Sequence, residues 1–165
     1  MPEHTDGFIT LTLFQRRDAP VLLDADSDPE HRRRFDFPAG FRPSLRHSEN
    51  VIARWERERL ARERFPYAVR SVEAGTLLGG VELLPLGGES SNLSYWTYPR
   101  HRRRGIACRA VSLACDIAFL EFNLRRLRVV VDPDNAASRR VAIQNGFREV
   151  GMHEGRVCYV LESTE

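Results

Sequence analysis

Asn92-Leu93-Ser94-Tyr95-Trp96-Thr97-Tyr98-Pro99-Arg100-His101-Arg102-Arg103-Arg104-Gly105-Ile106-Ala107 joins an aromatic-rich strand to the start of a helix. Asn92 to Tyr98 carries the side chains that suit a pleated, half-buried strand, and Pro99 ends it. Gly105 then opens a helix whose first N–H groups have no intrahelical partner, and the aligned peptide dipoles place roughly half a positive charge there. Glycine lets the backbone approach a ligand, Ala107 leaves clearance on the first turn, and the arginines add charge, so Arg102 to Ala107 is suited to a diphosphate. A glycine-led helix start alone is a weak signal, because many helices begin this way and bind nothing. The run is also compatible with a solvated turn or a nucleic-acid patch.

The flanking sequence supplies the context. Downstream of Gly105, Ala110, Val111, Leu113, Ala114, Ile117, Ala118 and Phe122 form a broad apolar helical stripe. Leu127 to Val131 reads as an interior strand, and a helix from about Asn135 to Asn145 is stopped by Gly146. Strands follow at Phe147 to Met152 and Arg156 to Leu161, joined only by Glu154-Gly155. Upstream, residues 8 to 14 alternate as a strand, and Asp18 to Asp26 suits a short helix. Asp28 to Pro43, with three prolines and a triple arginine, reads as a mobile connection. From Ser48, taken as an N-cap, an amphipathic helix runs to Arg64. Tyr67 to Val72 and Leu77 to Leu84 are strands joined through Glu73-Ala74-Gly75. This order predicts one mixed sheet covered by helices, in a single domain over residues 1–165.

The spacing Arg102, Gly105, Ala107 after an aromatic strand resembles the pyrophosphate loop of the GNAT family of N-acetyltransferases, which reads Arg or Gln, two residues, Gly, one residue, Gly or Ala. Tyr95-Trp96, the stretch Val131-Asp132-Pro133-Asp134-Asn135-Ala136-Ala137-Ser138 and Asn145-Gly146-Phe147 are similar to the RimJ/RimL branch. Together the matches span most of the chain and say nothing of the acceptor. The resemblance implies an α+β fold with a mixed, mostly antiparallel sheet of six to seven strands and about four helices. At its centre, a splayed parallel pair would receive the pantetheine arm of acetyl-CoA. It implies that Thr97, Tyr98, Arg102, Arg103, Arg104, Gly105, Ile106, Ala107, Asn135 and Ser138 contact the cofactor, although Asn135 and Ser138 equally suit helix capping. One position departs: these relatives usually carry glycine where Arg103 stands, and a positive φ there would cost arginine about 1 kcal/mol or more.

Acetyl transfer to an amine needs a neutral nucleophile, donors for the oxygen of the tetrahedral intermediate and a proton for the departing thiolate. The tyrosine that family members commonly use as the acid is replaced by Ala142, so the resemblance points to Ser138 as catalytic at the CoA sulfur. Backbone N–H groups near Thr97 and Tyr98 are expected to polarise the thioester. For the base, Glu82 is the first candidate and Glu154 the second. The implied activity is direct transfer, in a ternary complex, to a primary amine, above all a protein or peptide N-terminus. A small-molecule amine (aminoglycoside, polyamine or amino acid) and a non-catalytic acyl-CoA-binding module, which Ala142 and Arg103 would favour, are the alternatives.

Composition narrows the remaining classes. In 165 residues, 42% hydrophobic, there is material for one core. Every one of the 25 basic residues is arginine, yet 23 carboxylates bring the net charge to only +2, which disfavours nucleic acid as a partner. Three cysteines without a CxxC pair argue against a disulfide framework or a structural metal, and Cys108 and Cys115 fit packing positions on one helix face. The apolar runs are too short for a membrane span, and Met1 to Gly7 lacks a secretory pattern, so a cytoplasmic protein is expected. A homodimer through sheet edges or the aromatic face is compatible with the pattern.

Overall fold

The structure is a computed structural model that describes residues 4–164; Met1 to Glu3, part of the segment read for a leader, and Glu165 lie outside the described residues. Eight strands form one sheet among those residues: β1 (His4–Thr5), β2 (Ile9–Thr12), β3 (Phe65–Ser71), β4 (Leu77–Gly87), β5 (Ser90–Thr97), β6 (Arg126–Val131), β7 (Arg148–His153) and β8 (Arg156–Glu162). Their order is β1-β2-β3-β4-β5-β6-β8-β7. Five α-helices accompany them: α1 (Ala19–Asp26), α2 (Pro29–Arg34), α3 (Leu45–Leu60), α4 (Ile106–Asp116) and α5 (Ala136–Gln144). The sheet is thus a strand wider than expected and the helices one more. No helix among the described residues is long and apolar enough to cross a membrane.

All neighbouring strands pair antiparallel except β5 and β6. That pair is parallel and short, covering Ser90 to Asn92 against Arg126 to Arg128. Two clusters of buried side chains cover the two faces of the sheet. Val81, Leu83, Leu93, Leu127 and Val129 pack with Val111, Ala114 and Ile117 of the α4 segment and with Ala142 of α5. On the opposite face Ala68, Leu77 and Tyr98 pack with Leu22 of α1 and Ile52 of α3, with Trp55 and Trp96 partly buried beside them. The amphipathic stripe read from Ala110 onward does face the core, but the helix ends as α at Asp116 and continues as a π turn over Ile117–Glu121. Cys115 is buried on this stripe, and burial pushes its thiol up to about 12, so it packs as a small apolar group.

Two local readings are corrected. Asp28 to Pro43 contains α2, which Pro29 opens at N1 and Asp28 caps by accepting a hydrogen bond from the His31 N–H at 2.9 Å. The next helix begins after Ser44, whose hydroxyl accepts from the His47 N–H at 3.0 Å; Ser48, expected as the cap, is buried one turn inside.

A buried ion pair ties the α1 face to the sheet. Arg70 of β3 donates to both carboxylate oxygens of Asp18, at 2.8 and 2.6 Å, and both side chains are about 5% exposed. Arg70 also donates to the Thr12 hydroxyl and the Leu13 carbonyl, while Asp18 accepts from the Gln15 N–H at 2.7 Å. Such a pair adds little over an apolar substitute, but removing one partner strands a buried charge. Asp18→Ala should therefore destabilise the fold by about 3–5 kcal/mol, seen as a melting point lower by about 6–20 °C for a chain of this size. Arg59→Ala, which breaks the surface pair with Glu56, should cost under about 1 kcal/mol in the same scan.

Candidate active site

The site grows from the place where β5 and β6 part. The Tyr98 N–H donates to the Leu78 carbonyl of β4 at 2.9 Å. In an antiparallel ladder, backbone groups face alternate sides, so Thr97, and by the same alternation Tyr95 and Leu93, turn their N–H and C=O toward β6. Pairing with β6 stops at Asn92. Beyond that point these groups have no ladder partner on β6 among the described residues, and this unpaired stretch between the two strands is the slot. The expectation that both the Thr97 and Tyr98 amides serve a thioester is corrected: the Tyr98 amide is committed to the ladder, and its side chain is buried.

The strand then enters the loop that leads to α4. Arg103 sits at φ +64° and Gly105, the N-cap of α4, at φ +72°. Left-handed residues on either side of Arg104 curl the chain, so that successive N–H groups converge with those of the first helical turn. Arg103, Arg104 and Gly105 are exposed, and Ile106 and Ala107 are half-buried. Neither Arg103 nor Arg104 makes an ion pair among the described residues, whereas Arg102 donates to Asp28 at 3.1 Å and Arg100 lies 3.3 Å from Asp24. Burial pushes the Asp28 carboxyl upward, but the His31 N–H and the Arg102 guanidinium outweigh it and hold it below its ordinary value.

On the α4 face of the slot, Tyr95 reaches over to α5 and donates from its hydroxyl to the Ser138 carbonyl at 2.7 Å. Burial raises its phenol well above the ordinary value, so it stays protonated as this donor. Asn135 caps α5 by accepting from the Ser138 N–H at 3.2 Å, the role its residue type favours. Ser138 is thus fixed through its backbone, while its half-buried side chain makes no hydrogen bond among the described residues. Ala142 is fully buried in the core.

On the other face lies a cavity of about 440 Å³ between the sheet, α1, α3 and the α2-to-Phe41 segment. Glu82 and Trp96 stand on its sheet side, and Glu82 lies opposite Ser94, two residues past the last β5–β6 pair. Glu82 is 8% exposed and accepts from Arg64 at 3.1 Å. Burial raises its carboxyl above the ordinary glutamate range despite that arginine. Glu154, the second candidate base, is 86% exposed at the β7–β8 turn and does not line the cavity. Sequence reasoning missed His31 and Asp26, which also line it and meet at 3.5 Å with both side chains 9% exposed. Only the helical spacing of α1 and α2, the second of which was not expected, brings them together.

Ion pairs hold α2 over the slot from both sides. Besides Arg102 on Asp28, Arg34 donates to Asp132 at 2.7 Å and Asp134 at 2.9 Å, and Arg33 to Asp134 at 3.0 Å. One end of α2 is therefore tied to the loop before α4 and the other to the loop before α5.

The chain matches the family model described as an acetyltransferase (GNAT) domain over residues 9–148. It is 30% identical over 99 residues to the probable N-acetyltransferase YjcK of Bacillus subtilis, a match that spans 58% of this chain and 55% of that relative's length. Among solved structures it is similar to the acetyltransferase from Agrobacterium tumefaciens (TM-score 0.80, 21% identity, 99% of this chain and 95% of the other). It is also similar to Mycobacterium smegmatis RimJ in complex with CoA-disulfide (TM-score 0.80, 20% identity, 99% of this chain and 86% of the other). At these identities the structural likeness shows the fold.

The left-handed conformation of Arg103 gives a direct test of the loop. Arg103→Gly should relieve about 1–2 kcal/mol of backbone strain, partly offset by about 0.5–1 kcal/mol of glycine entropy. Arg103→Ala keeps the strain. Urea melts of the ligand-free proteins should therefore rank Arg103→Gly at or slightly above the parent and Arg103→Ala no higher than it.

Proposed function

The chain belongs to the GNAT acetyltransferase family, and from that premise we propose that it transfers the acetyl group of acetyl-CoA directly to a primary amine at a protein or peptide N-terminus. The observation that carries this reading is the slot beyond Asn92, ending at a loop whose left-handed Arg103 and Gly105 gather free N–H groups. The residues present fit the cofactor. The N–H groups of Arg103 to Ala107 would hold the diphosphate, with the Arg103 and Arg104 side chains, which make no ion pair among the described residues, adding charge. The backbone of Thr97 and Tyr95 would pair with the amides of the pantetheine arm, as an added strand does at a sheet edge. Acetyl-CoA supplies a thioester, an activated acyl group with a good leaving thiol.

The reacting centre then falls near Leu93 to Tyr95, because the loop anchors one end of the cofactor and the strands close together at the other. Glu82 stands across from Ser94 on the cavity face, and in its ionised form it accepts the proton that the acceptor ammonium must lose before its nitrogen, as a neutral amine, can attack the thioester carbonyl. A carboxyl raised by burial is better matched to that transfer than an ordinary one. Ser138, held by the Tyr95 hydroxyl and the Asn135 cap, is the group proposed to give a proton to the departing sulfur or orient it. Asn135 remains a proposed cofactor contact through the amide N–H₂ that its capping oxygen leaves free.

Acetyl-CoA at about 100 times its dissociation constant should add about 2.7 kcal/mol of stability, which raises the melting point by about 5–11 °C. No shift at millimolar cofactor would remove the cofactor from the reading. With an N-terminal peptide as acceptor, Ser138→Ala should lower kcat on the order of 10²-fold with the acetyl-CoA affinity kept. Unchanged turnover removes Ser138 from the mechanism.

The pH dependence follows from Glu82. Its folded value lies above its unfolded one, so the fold binds the extra proton between the two, and stability falls as pH rises through that window. Activity moves oppositely, because the base works ionised. The kcat profile should show an acid limb above the ordinary glutamate range. Glu82→Gln should abolish that limb and lower kcat on the order of 10²-fold.

A further inference from the structure

The acceptor-side cavity is walled by aromatic rings. Trp96 forms its floor, Trp55 rises from α3, and Phe35, Phe37 and Phe41 come down from the segment after α2. The floor is built deliberately: a methyl group on Gly80 would overlap the Trp96 indole, so glycine at that position lets the ring lie flat across β4. Phe14 stacks behind at 6.4 Å from Trp96 and 4.7 Å from Trp55, which fixes both indoles. Phe35 meets Trp96 edge-on at 5.6 Å and is itself 42% exposed.

The charged groups at the cavity are already answered. Glu82 is paired with Arg64, Asp26 with His31, and Asp36 with Arg156 at 3.0 Å. What remains is mostly apolar ring surface, together with the buried Ser48 hydroxyl, Trp55 indole N–H and Tyr98 hydroxyl, which have no hydrogen-bond partner among the described residues, in a space nearly three times the roughly 150 Å³ cavity that accepts a benzene. Part-exposed aromatic walls around a preformed hollow, with the buried Glu82 carboxyl on the sheet side and the buried Asp26 carboxyl held against His31, describe a receptor for an apolar group attached to an amine.

We propose that this cavity selects the acceptor by its side chain, taking a large apolar or aromatic group, and that the amine it carries is thereby placed beside Glu82 at the slot. The inference rests on the acetyltransfer reading and adds the class of acceptor to it. The recognised chemistry is shared by two sources: a peptide whose first residue is phenylalanine or leucine, and a free arylalkylamine.

The test compares kcat/KM for peptides that differ only in a first residue of Phe, Leu, Ala or Ser, together with phenethylamine and ethylamine, all with acetyl-CoA. The Phe and Leu peptides should exceed Ala and Ser on the order of 10- to 100-fold, the effect of burying one large apolar side chain. Phe37→Ala and Phe41→Ala, in the half-buried roof, should shrink the Phe-to-Ala ratio. The rescue variant Phe37→Leu should restore much of it. Acetylation of phenethylamine over ethylamine, with no peptide accepted, supports the cavity and overturns the N-terminal reading. Equal rates for Phe and Ala peptides, or a ratio untouched by both roof variants, overturn the cavity while leaving acetyltransfer standing. Acetyl-CoA binding without turnover of any of these amines overturns the proposal as well.

Discussion

Backbone hydrogen bonding in the middle of a sheet is normally closed, and the constraint that organises this molecule is that between β5 and β6 it is not. Three residue pairs hold the strands together, after which the edge of β5 has no ladder partner on β6 among the described residues. Unpaired N–H and C=O groups are costly when buried dry and harmless when wet or liganded. A fold keeps such an edge only if the surrounding structure prevents the strands from zipping shut. Here β6 is paired along its whole length to β8 on its other side, and β5 is paired through Thr97 to β4. Each strand is thus positioned by the partner on its outer edge, which leaves the edges facing the slot open without a loss to either ladder.

The slot also explains why the two faces carry different chemistry. The α4 face presents the convergent N–H groups of the loop, the α5 cap and the Tyr95–Ser138 bond, all suited to a polar, anionic and amide-bearing molecule. The α1–α3 face presents aromatic rings and two buried carboxyls, Glu82 and Asp26. A reaction between molecules approaching from opposite faces can meet only at the slot, where backbone groups rather than side chains do the positioning. The ion pair between Arg70 and Asp18 stands behind this arrangement by fixing α1 against the sheet, and so the depth of the aromatic cavity.

The parts legible in the sequence are those specified by neighbouring residues. The strand, turn and helix from Asn92 to Ala107 could be read because Pro99, Gly105 and the apolar stripe after it are local signals. The α2 helix could not. Six residues, Pro29-Glu30-His31-Arg32-Arg33-Arg34, have no apolar stripe, and what holds them is ion pairs to Asp132 and Asp134, about a hundred positions away. Ser44 and Ser48 are equally good caps by type, and only the burial of Ser48 decides between them. The Tyr98 amide was misassigned for a similar reason, since the ladder alternation that commits it to Leu78 depends on a register that sequence does not carry. In the sequence Glu82 stands out only as the carboxylate on a neighbouring strand; its burial, its arginine and its place opposite Ser94 emerge from the fold.

The exclusive use of arginine bears on how α2 is held. Arg34 contacts Glu30, Asp132 and Asp134 at once, a branching that the planar guanidinium supplies and a lysine ammonium on its flexible stem would order less well. Its side chain is 16% exposed while its partners range up to 62%, so each contact alone is modest and the three act as a network. Arg102 makes the complementary contact with Asp28, the residue that also caps α2. The same guanidinium opens the segment proposed to bind the diphosphate, and a doubly charged ligand competes with a single carboxylate for it. The helix that roofs the aromatic cavity is thus anchored by a residue of the cofactor loop, which places the two faces of the slot in one electrostatic network even though the sheet lies between them.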